Sequence, residues 1–271
     1  MSKKIIFRWV KVVIFCYSLA GIGLFYLQRS IIFHPQPVAS DYVYPFEGPR
    51  TRNIYIPYDR QTKLHIMTFT GNDNAVSKGV ILYFHGNRNN IGWYASYAME
   101  LSTKGYEVWV LDYPGFGKST GELTEEKLYD YALQCYKLAR TRFNPSQIII
   151  YGKSLGTCLA CQLASVRDCR YLILETPCYS LESLAARYLP VYPVSRMLHF
   201  HFPNYAYLKK VTAPVVIFQG TADGVVPYSN AARLKPLLGD RDLFITLEGG
   251  SHNDLTGFSL YRQTMDSLLG R

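Results

Sequence analysis

Eight short apolar runs punctuate the chain from residue 50 onward. β-Branched and aromatic residues dominate them, and five of the last six are almost continuously apolar, as expected of strands buried on both faces of a sheet. Segments with helical periodicity lie between several of the runs. This alternation predicts an α/β fold, with a mostly parallel, twisted sheet of about eight strands and helices on both faces. The predicted strands are residues 52–57, 63–70, 79–86, 106–112, 147–152, 171–176, 214–220 and 242–249, and the predicted helices are residues 93–103, 124–142, 155–167, 229–238 and 257–269.

One interval between predicted strands is much longer than the others. Residues 177–211 contain seven Tyr and Phe residues. Insertions of this size in compact domains are usually lids or binding elements. We therefore expect residues 177–211 to form a short lid.

The N-terminus has a different pattern, because the 23 residues from Ile5 to Leu27 carry only two charges, Arg8 and Lys11. As a helix they would reach about 34 Å, enough for a hydrocarbon core of about 30 Å. The pattern predicts a membrane anchor over residues 1–29 that crosses the membrane through residues 5–27. A connector over residues 30–49 and one domain over residues 50–271 would follow, and the prolines of the connector predict that it is extended.

The charges around the apolar segment predict its orientation. Four basic residues lie at its N-terminal side, and Arg29 alone follows it. The positive-inside rule then places the N-terminus in the cytoplasm and the main domain on the outer side, in the periplasm if the source is bacterial. A signal peptide cleaved after Ala20, with Ser18 as the second small residue, is the alternative. The apolar run continues through Tyr26, which favours a retained anchor.

The overall composition excludes two function classes. Basic residues outnumber acidic ones by 29 to 20, but five of the basic and none of the acidic residues lie in the first 29 positions. The remainder has no run of five basic residues, so nucleic acid is not an expected partner. Five of the six cysteines lie outside the anchor without framework spacing, which argues against a disulfide scaffold.

The sequence Gly152-Lys153-Ser154-Leu155-Gly156 has the form GxSxG. The pattern alone is not specific, but here it links the predicted strand 147–152 to the predicted helix 155–167. That is the setting of a nucleophile elbow, in which the serine hydroxyl projects above the sheet. Ser154 is therefore the candidate nucleophile.

A serine hydroxyl needs a base to take its proton, and the base needs an acid to fix its tautomer. Asp223 and His252 each follow a predicted strand, in the order acid then base. Both would lie at the carboxyl ends of strands, where open α/β sheets place their ligands. We interpret Asp223 as the acid and His252 as the base. Glu175, which ends another apolar run, is a rival acid.

A tetrahedral oxyanion would need two backbone donors. The N–H group of Leu155, directly after the nucleophile, is the first candidate. The N–H group of Asn87, in the loop after the predicted strand 79–86, is the second.

These residues lie in five motifs that occur in the order found in the α/β-hydrolase superfamily, which the chain resembles over roughly residues 50–271. The motifs are HGN (85–87), DYPGFGKS (112–119), GKSLG (152–156), GTADGVVP (220–227) and GGSHNDL (249–255). With its predicted anchor and lid, the chain looks most like membrane-anchored serine hydrolases related to acyl-protein thioesterases and monoglyceride lipases. The resemblance implies a catalytic triad of Ser154, Asp223 and His252, oxyanion donors at Asn87 and Leu155, and neither a metal nor an organic cofactor. One departure is Gln219-Gly220, where many relatives have His-Gly.

Other notable residues have simpler interpretations. Cys158 and Cys161 form a CxxC within a predicted helix, where packing is favoured over zinc or redox chemistry. The pair His199 and His201 has no nearby third ligand and is expected to pack in the lid. Asp112 and His85 are expected to brace their own loops. Lys153 either alters the local electrostatic field at the elbow or is solvated.

The resulting hypothesis is a membrane-tethered serine hydrolase that cleaves a carboxylic ester or thioester through an acyl-enzyme. Its partners would be a small-molecule or acyl-group substrate and the membrane, and the sequence carries no signal of oligomeric state. Two alternatives stay open. One is an amidase or peptidase with the same fold, and the other is an inactive, membrane-displayed interaction module that binds through the aromatic segment 179–207.

Overall fold

A computed structural model describes residues 2–71 and 76–270 of the chain. Eight strands form one sheet in the order β8-β7-β6-β5-β3-β4-β2-β1. Strand β1 pairs antiparallel with β2, β2 pairs antiparallel with β4, and all other pairs are parallel. The predicted mostly parallel sheet is thus confirmed. Its strands are β1 (Thr51–Pro57), β2 (Lys63–Phe69), β3 (Val80–Phe84), β4 (Glu107–Asp112), β5 (Ile148–Lys153), β6 (Tyr171–Glu175), β7 (Val215–Gly220) and β8 (Leu243–Leu247).

Most of the helices lie between strands, as the sequence pattern predicts, while the first two precede the sheet and the last follows it. They are α1 (Lys3–Tyr26), α2 (Gln28–Ile32), α3 (Ile91–Ser102), α4 (Glu125–Arg140), α5 (Gly156–Ala164), α6 (Leu181–Tyr188), α7 (Val194–Met197), α8 (Asn204–Leu208), α9 (Tyr228–Ala231) and α10 (Ser259–Leu269). The side chain of Thr124 caps α4 by accepting a hydrogen bond from the N–H of Lys127.

Two local predictions were wrong. The connector was expected to be extended from residue 30, but α2 continues through Ile32, since the prolines that prevent a helix begin only at Pro35. The single helix predicted over residues 229–238 is the short α9 followed by a 3₁₀ helix, Ala232–Leu237, which contains Pro236. A proline in that position removes the N–H group that an α-helix would use.

Two buried apolar clusters hold the helices against the two faces of the sheet. Successive residues of β5 alternate between them, because side chains of a strand point to opposite faces. Ile150 packs in the cluster that contains Leu159 of α5, and Ile149 packs in the cluster that contains Met265 of α10. The sheet is therefore covered on both sides, and its carboxyl edge carries the loops that hold the candidate site.

Helix α1 has no buried side chain. It is long and apolar enough to cross a membrane, and it is the only such helix within residues 2–71 and 76–270. It leads through Leu27 directly into α2, which reaches the edge of the main domain. The segment predicted as a lid, residues 177–211, contains α6, α7 and α8.

Candidate active site

Ser154 occupies a sharp turn between β5 and α5. Its φ angle is +52°, in the left-handed region that residues other than glycine rarely adopt. Its N–H group donates to the carbonyl oxygen of Glu175 at 2.8 Å, and its own carbonyl oxygen accepts from the N–H of Thr157 at 3.0 Å. A Cβ atom at Gly156 would collide with the carbonyl oxygen of Phe84, so glycine there lets α5 approach β3 closely. The turn thus fixes the serine at the carboxyl edge of the sheet.

The structure brings Ser154, His252 and Asp223 into one hydrogen-bonded row. His252 Nε2 lies 2.8 Å from Ser154 Oγ, and His252 Nδ1 lies 2.8 Å from Asp223 Oδ2. The Asp223 side chain is fully buried, while the imidazole is 11% exposed. These distances suit proton transfer between the serine and the imidazole.

Asp223 is held as a carboxylate by several donors. Its Oδ1 atom accepts from the N–H groups of Val225 and Val226, each at 2.8 Å. Burial raises the pKa of Asp223, but His252 and the two N–H groups outweigh it, so that the pKa lies below its ordinary value. The carboxylate is therefore ionised at neutral pH and can hold the imidazole in one orientation.

Gln219 contacts the same carboxylate, although the sequence analysis assigned it no role. Its Nε2 atom donates to Asp223 Oδ2 at 3.1 Å and to the carbonyl oxygen of Val226 at 3.0 Å. It ties the end of β7 to the loop that carries the acid. The sequence signal for this contact was that Gln219-Gly220 stands where many relatives have His-Gly.

The loop that contains Asn87 is anchored by the segment that follows α2. The Asn87 side chain donates to the carbonyl oxygen of Ile32 at 2.6 Å, and the backbone carbonyl oxygen of Asn87 accepts from the N–H of His34 at 2.8 Å. Among the turn, loop and cap hydrogen bonds within residues 2–71 and 76–270, none is donated by the backbone N–H group of Asn87 or of Leu155. Both candidate donors are therefore free to bind an oxyanion.

Asp112 lies apart from the row and braces the neighbouring loops. Its Oδ1 atom accepts from the N–H of Ile91 at 2.9 Å and lies 3.3 Å from His85 Nε2. Burial raises the pKa of Asp112, but His65 and His85 outweigh it and lower the pKa below its ordinary value. The structural interpretation of Asp112 and His85 agrees with these contacts.

Lys153 and Glu175 form a buried ion pair beneath the elbow. Their side chains are 4% and 1% exposed, and the hydroxyl of Tyr151 also donates to Glu175. Lys153 is therefore not solvated, and Glu175 is occupied by a cation instead of by His252. The two residues are opposite each other in the β5–β6 register. A signal of this pairing was present in the sequence, because a basic and an acidic residue lie at the ends of two successive apolar runs.

Cys158, Cys161 and His199 have packing contacts. Cys158 and Cys161 are buried and free. The ring of His199 packs edge-on against Phe25 of α1, with centroids 4.6 Å apart. In the part of the chain that the structure describes, no three His, Cys, Asp or Glu residues form a group that could hold a metal ion.

Comparison with known proteins shows similarity to hydrolases. The sequence profile of the serine aminopeptidase S33 family matches residues 75–207. A curated relative, alpha/beta hydrolase domain-containing protein 17C of Xenopus tropicalis, is 32% identical over 197 residues, which are 71% of this chain. The chain belongs to the α/β-hydrolase superfamily. The match to this α/β-hydrolase covers 61% of the Xenopus protein, so the chain spans less than two thirds of that relative.

Solved structures have the same fold as this α/β-hydrolase. An esterase of Pyrococcus furiosus superposes with a TM-score of 0.64 at 17% identity, over 87% of this chain and 98% of the esterase. A monoacylglycerol lipase of Paleococcus ferrophilus superposes with a TM-score of 0.58 at 18% identity, over 76% of this chain and 98% of the lipase. At such identities the likeness establishes the fold alone.

The buried ion pair generates a stability prediction. Lys153→Met leaves the Glu175 carboxylate buried without its cation, so we expect the free energy of unfolding to fall by about 3–5 kcal/mol. Denaturant unfolding of the full chain in detergent, followed by near-ultraviolet circular dichroism, measures this loss. The matched control is Lys104→Met, which removes the partner of Asp266 from an ion pair with side chains 34% and 56% exposed and should cost less than about 1 kcal/mol. Equal losses in the two variants would contradict the prediction.

Proposed function

We propose that the protein is a serine hydrolase that cleaves a carboxylic ester or thioester through a covalent acyl-enzyme. The observation that carries the proposal is the continuous hydrogen-bonded row from Ser154 through His252 to Asp223. A nucleophile, a base and an oriented acid at these distances are what acyl transfer requires. Membership of the α/β-hydrolase superfamily supports hydrolytic chemistry in general.

In this mechanism Ser154 Oγ attacks the substrate carbonyl while His252 Nε2 takes its proton. The tetrahedral oxyanion accepts hydrogen bonds from the N–H groups of Leu155 and Asn87. When the intermediate collapses, His252 returns the proton to the leaving alcohol or thiol and Ser154 retains the acyl group. Water, deprotonated by His252, then attacks the acyl-enzyme; the bond from the acyl carbon to Ser154 Oγ breaks, the acid leaves, and His252 returns the proton to Ser154 Oγ. Asp223 fixes the Nδ1–H tautomer and stabilises the imidazolium in both steps.

The amidase or peptidase alternative has one observation in its favour, the matching profile of the serine aminopeptidase S33 family. Two structural neighbours are named as an esterase and a monoacylglycerol lipase, but at 17% and 18% identity they show the fold alone. The row of three residues serves either chemistry. Comparison of matched ester and amide substrates of one acyl group separates the two.

We also propose that α1 tethers the protein to a membrane. The helix has 24 residues, none of them buried, and an exposed apolar surface of this size would not be stable in water. Lys3, Lys4, Arg8 and Lys11 near its start favour a cytoplasmic N-terminus, which places the domain on the outer side.

Replacement of the nucleophile tests the chemistry. Wild type should hydrolyse p-nitrophenyl butyrate and be labelled by a fluorophosphonate probe at one site. Ser154→Ala should lose the label and at least about 10³-fold in kcat, because no activated hydroxyl is left. Ser165→Ala, which changes a serine at the end of α5 on the opposite edge of the sheet, is the matched control and should retain both. Label and turnover that survive in Ser154→Ala would contradict the proposal.

The role of Asp223 is tested by an isosteric change. In Asp223→Asn the amide would present a donor to His252 and favour the wrong tautomer, so kcat should fall by about 10⁴-fold while the fold persists. Asp254→Asn, two residues after the histidine in the same loop, retains an acceptor for the N–H of Ser251 and should change kcat by less than about threefold. A near-normal rate for Asp223→Asn would favour another acid.

Membrane topology is tested with intact cells. Protease added outside cells or spheroplasts should cut the main domain, because the basic flank retains the N-terminus in the cytoplasm. Immunoblotting with an antibody to the domain gives the readout, and a cytoplasmic marker protein should stay intact. Full protection of the domain in intact spheroplasts, with cleavage once they are lysed, would contradict the orientation.

A further inference from the structure

Helix α1 makes a specific contact with the tip of the lid. The rings of Tyr17 and Tyr192 stack with centroids 4.5 Å apart and planes 4° from parallel. The hydroxyl of Tyr17 donates to the carbonyl oxygen of Val191 at 2.8 Å, and the hydroxyl of Tyr192 donates to the carbonyl oxygen of Tyr17 at 3.0 Å. A Cβ at Gly21 would lie 3.1 Å from the Tyr192 ring, so glycine makes room for it.

This contact determines how deep the lid tip would lie in a bilayer. Tyr17 precedes the end of α1 at Tyr26 by nine residues, or about 14 Å at 1.5 Å per residue. That is about half of a 30 Å hydrocarbon core. If α1 crosses the membrane, the residues that contact Tyr17 lie among the lipid tails of the adjacent leaflet.

The lid tip, residues 190–193, has the chemistry for that position. It is Pro-Val-Tyr-Pro, without charge, and the Val191 side chain is 69% exposed. The N–H of Tyr192 donates to the carbonyl oxygen of Leu189 at 3.1 Å, which satisfies the backbone locally as hydrocarbon requires. Arg187 and Arg196 flank the tip, and both are exposed, so their long side chains can extend to lipid phosphates.

An apolar groove lies between α1, α2 and the lid. Its walls include Leu24, Ile31, Ala185, Leu189 and Met197, and it encloses about 90 Å³. Gln28 closes one side by donating to the carbonyl oxygen of Met197 at 2.6 Å and accepting from the N–H of His199 at 2.8 Å. The groove is therefore fixed to both the anchor and the lid.

Hydrogen bonds connect residues at and beside the groove to loops of the candidate active site. Leu24 lies in the last turns of α1, and Ile32, another wall residue, holds the Asn87 side chain through its carbonyl oxygen. On the lid side, the hydroxyl of Tyr188 lies 3.1 Å and 3.0 Å from the carbonyl oxygens of Gly224 and Val225, next to Asp223. The anchor side and the lid side of the groove are thus each hydrogen-bonded to a loop of the site.

We infer that the lid tip is embedded in the lipid leaflet beside α1, and that the groove binds the acyl chain of a bilayer-resident ester or thioester. The chain enters sideways from the leaflet, and its carbonyl end reaches Ser154. A space of 90 Å³ holds only the first part of a long chain, and the remainder stays among the lipid tails. The inference rests on the proposed hydrolase function.

The contact is tested by two glycine variants of the full chain in phosphatidylcholine vesicles. Gly21→Leu pushes Tyr192 away from α1, whereas Gly23→Leu adds the same side chain where nothing lies within 4 Å. With p-nitrophenyl palmitate in the vesicles, Gly21→Leu should lower kcat/KM by about tenfold, and Gly23→Leu by less than about twofold. Soluble p-nitrophenyl butyrate should be hydrolysed equally by both. Equal palmitate rates in the two variants would overturn the inference.

The groove is tested separately through neighbouring alanines of α6. Ala185→Phe fills the groove, while Ala186→Phe places the same ring on the exposed side of the helix. Ala185→Phe alone should lower palmitate turnover by about tenfold and leave butyrate turnover intact. The assignment of the groove to the acyl chain would be overturned if Ala185→Phe lowered the turnover of both substrates, or of neither, while Ala186→Phe behaved like wild type.

A readout without catalysis separates this inference from the proposed function. A tryptophan at Val191→Trp should be quenched by lipids brominated on their acyl chains. Val166→Trp, also at an exposed valine but at the opposite edge of the sheet, is the control, and the brominated lipids should not quench the fluorescence that it adds. Absence of quenching at residue 191 would overturn embedding of the lid tip. Quenching in a protein that takes no fluorophosphonate label would instead contradict the hydrolase function alone.

Discussion

The close approach of α5 to β3 at Gly156 is the constraint on which the site depends. Because glycine has no side chain, the helix can begin directly against the carbonyl oxygen of Phe84, and Ser154 is forced into a left-handed backbone conformation above β5. The same approach brings the N–H of Leu155 beside the loop that follows β3. This packing contact therefore positions the candidate nucleophile and the Leu155 donor, while the segment after α2 holds the loop of Asn87 and His252 reaches over from the end of β8.

Two carboxylates at strand ends near Ser154 have opposite surroundings, and this difference assigns their roles. Glu175 is buried against the cation of Lys153, so its charge is neutralised within the core. Asp223 is buried against N–H groups, the Gln219 amide and an imidazole. Dipoles stabilise the anion without cancelling its charge, so Asp223 can stabilise a cationic imidazole, whereas Glu175 cannot. The ion pair instead supports the turn from below, since the carbonyl oxygen of Glu175 accepts from the Ser154 N–H.

Much of the architecture was predictable from sequence because it depends on local patterns. Short runs rich in β-branched and aromatic residues predicted all eight strands, and the position of Ser154, Asp223 and His252 after such runs predicted their common edge. The contacts that the analysis missed join residues distant along the chain. The stack of Tyr17 on Tyr192 and the bond from Gln219 to Asp223 depend on how loops return to each other, which periodicity does not encode. The 3₁₀ segment after α9 was missed because helical periodicity outweighed Pro236.

The way α1 joins the domain distinguishes a fixed orientation from a flexible tether. A long polar linker would let a tethered domain rotate freely above a membrane. Here a single residue, Leu27, separates α1 from α2, the buried Gln28 side chain binds the lid, and the carbonyl oxygen of Ile32 binds Asn87. Helix α1 is therefore connected to the lid and to the loop of the candidate oxyanion donor within about one helical turn. If α1 crosses a membrane, these contacts hold residues 177–211 and the loop of Asn87 in a fixed orientation relative to the helix.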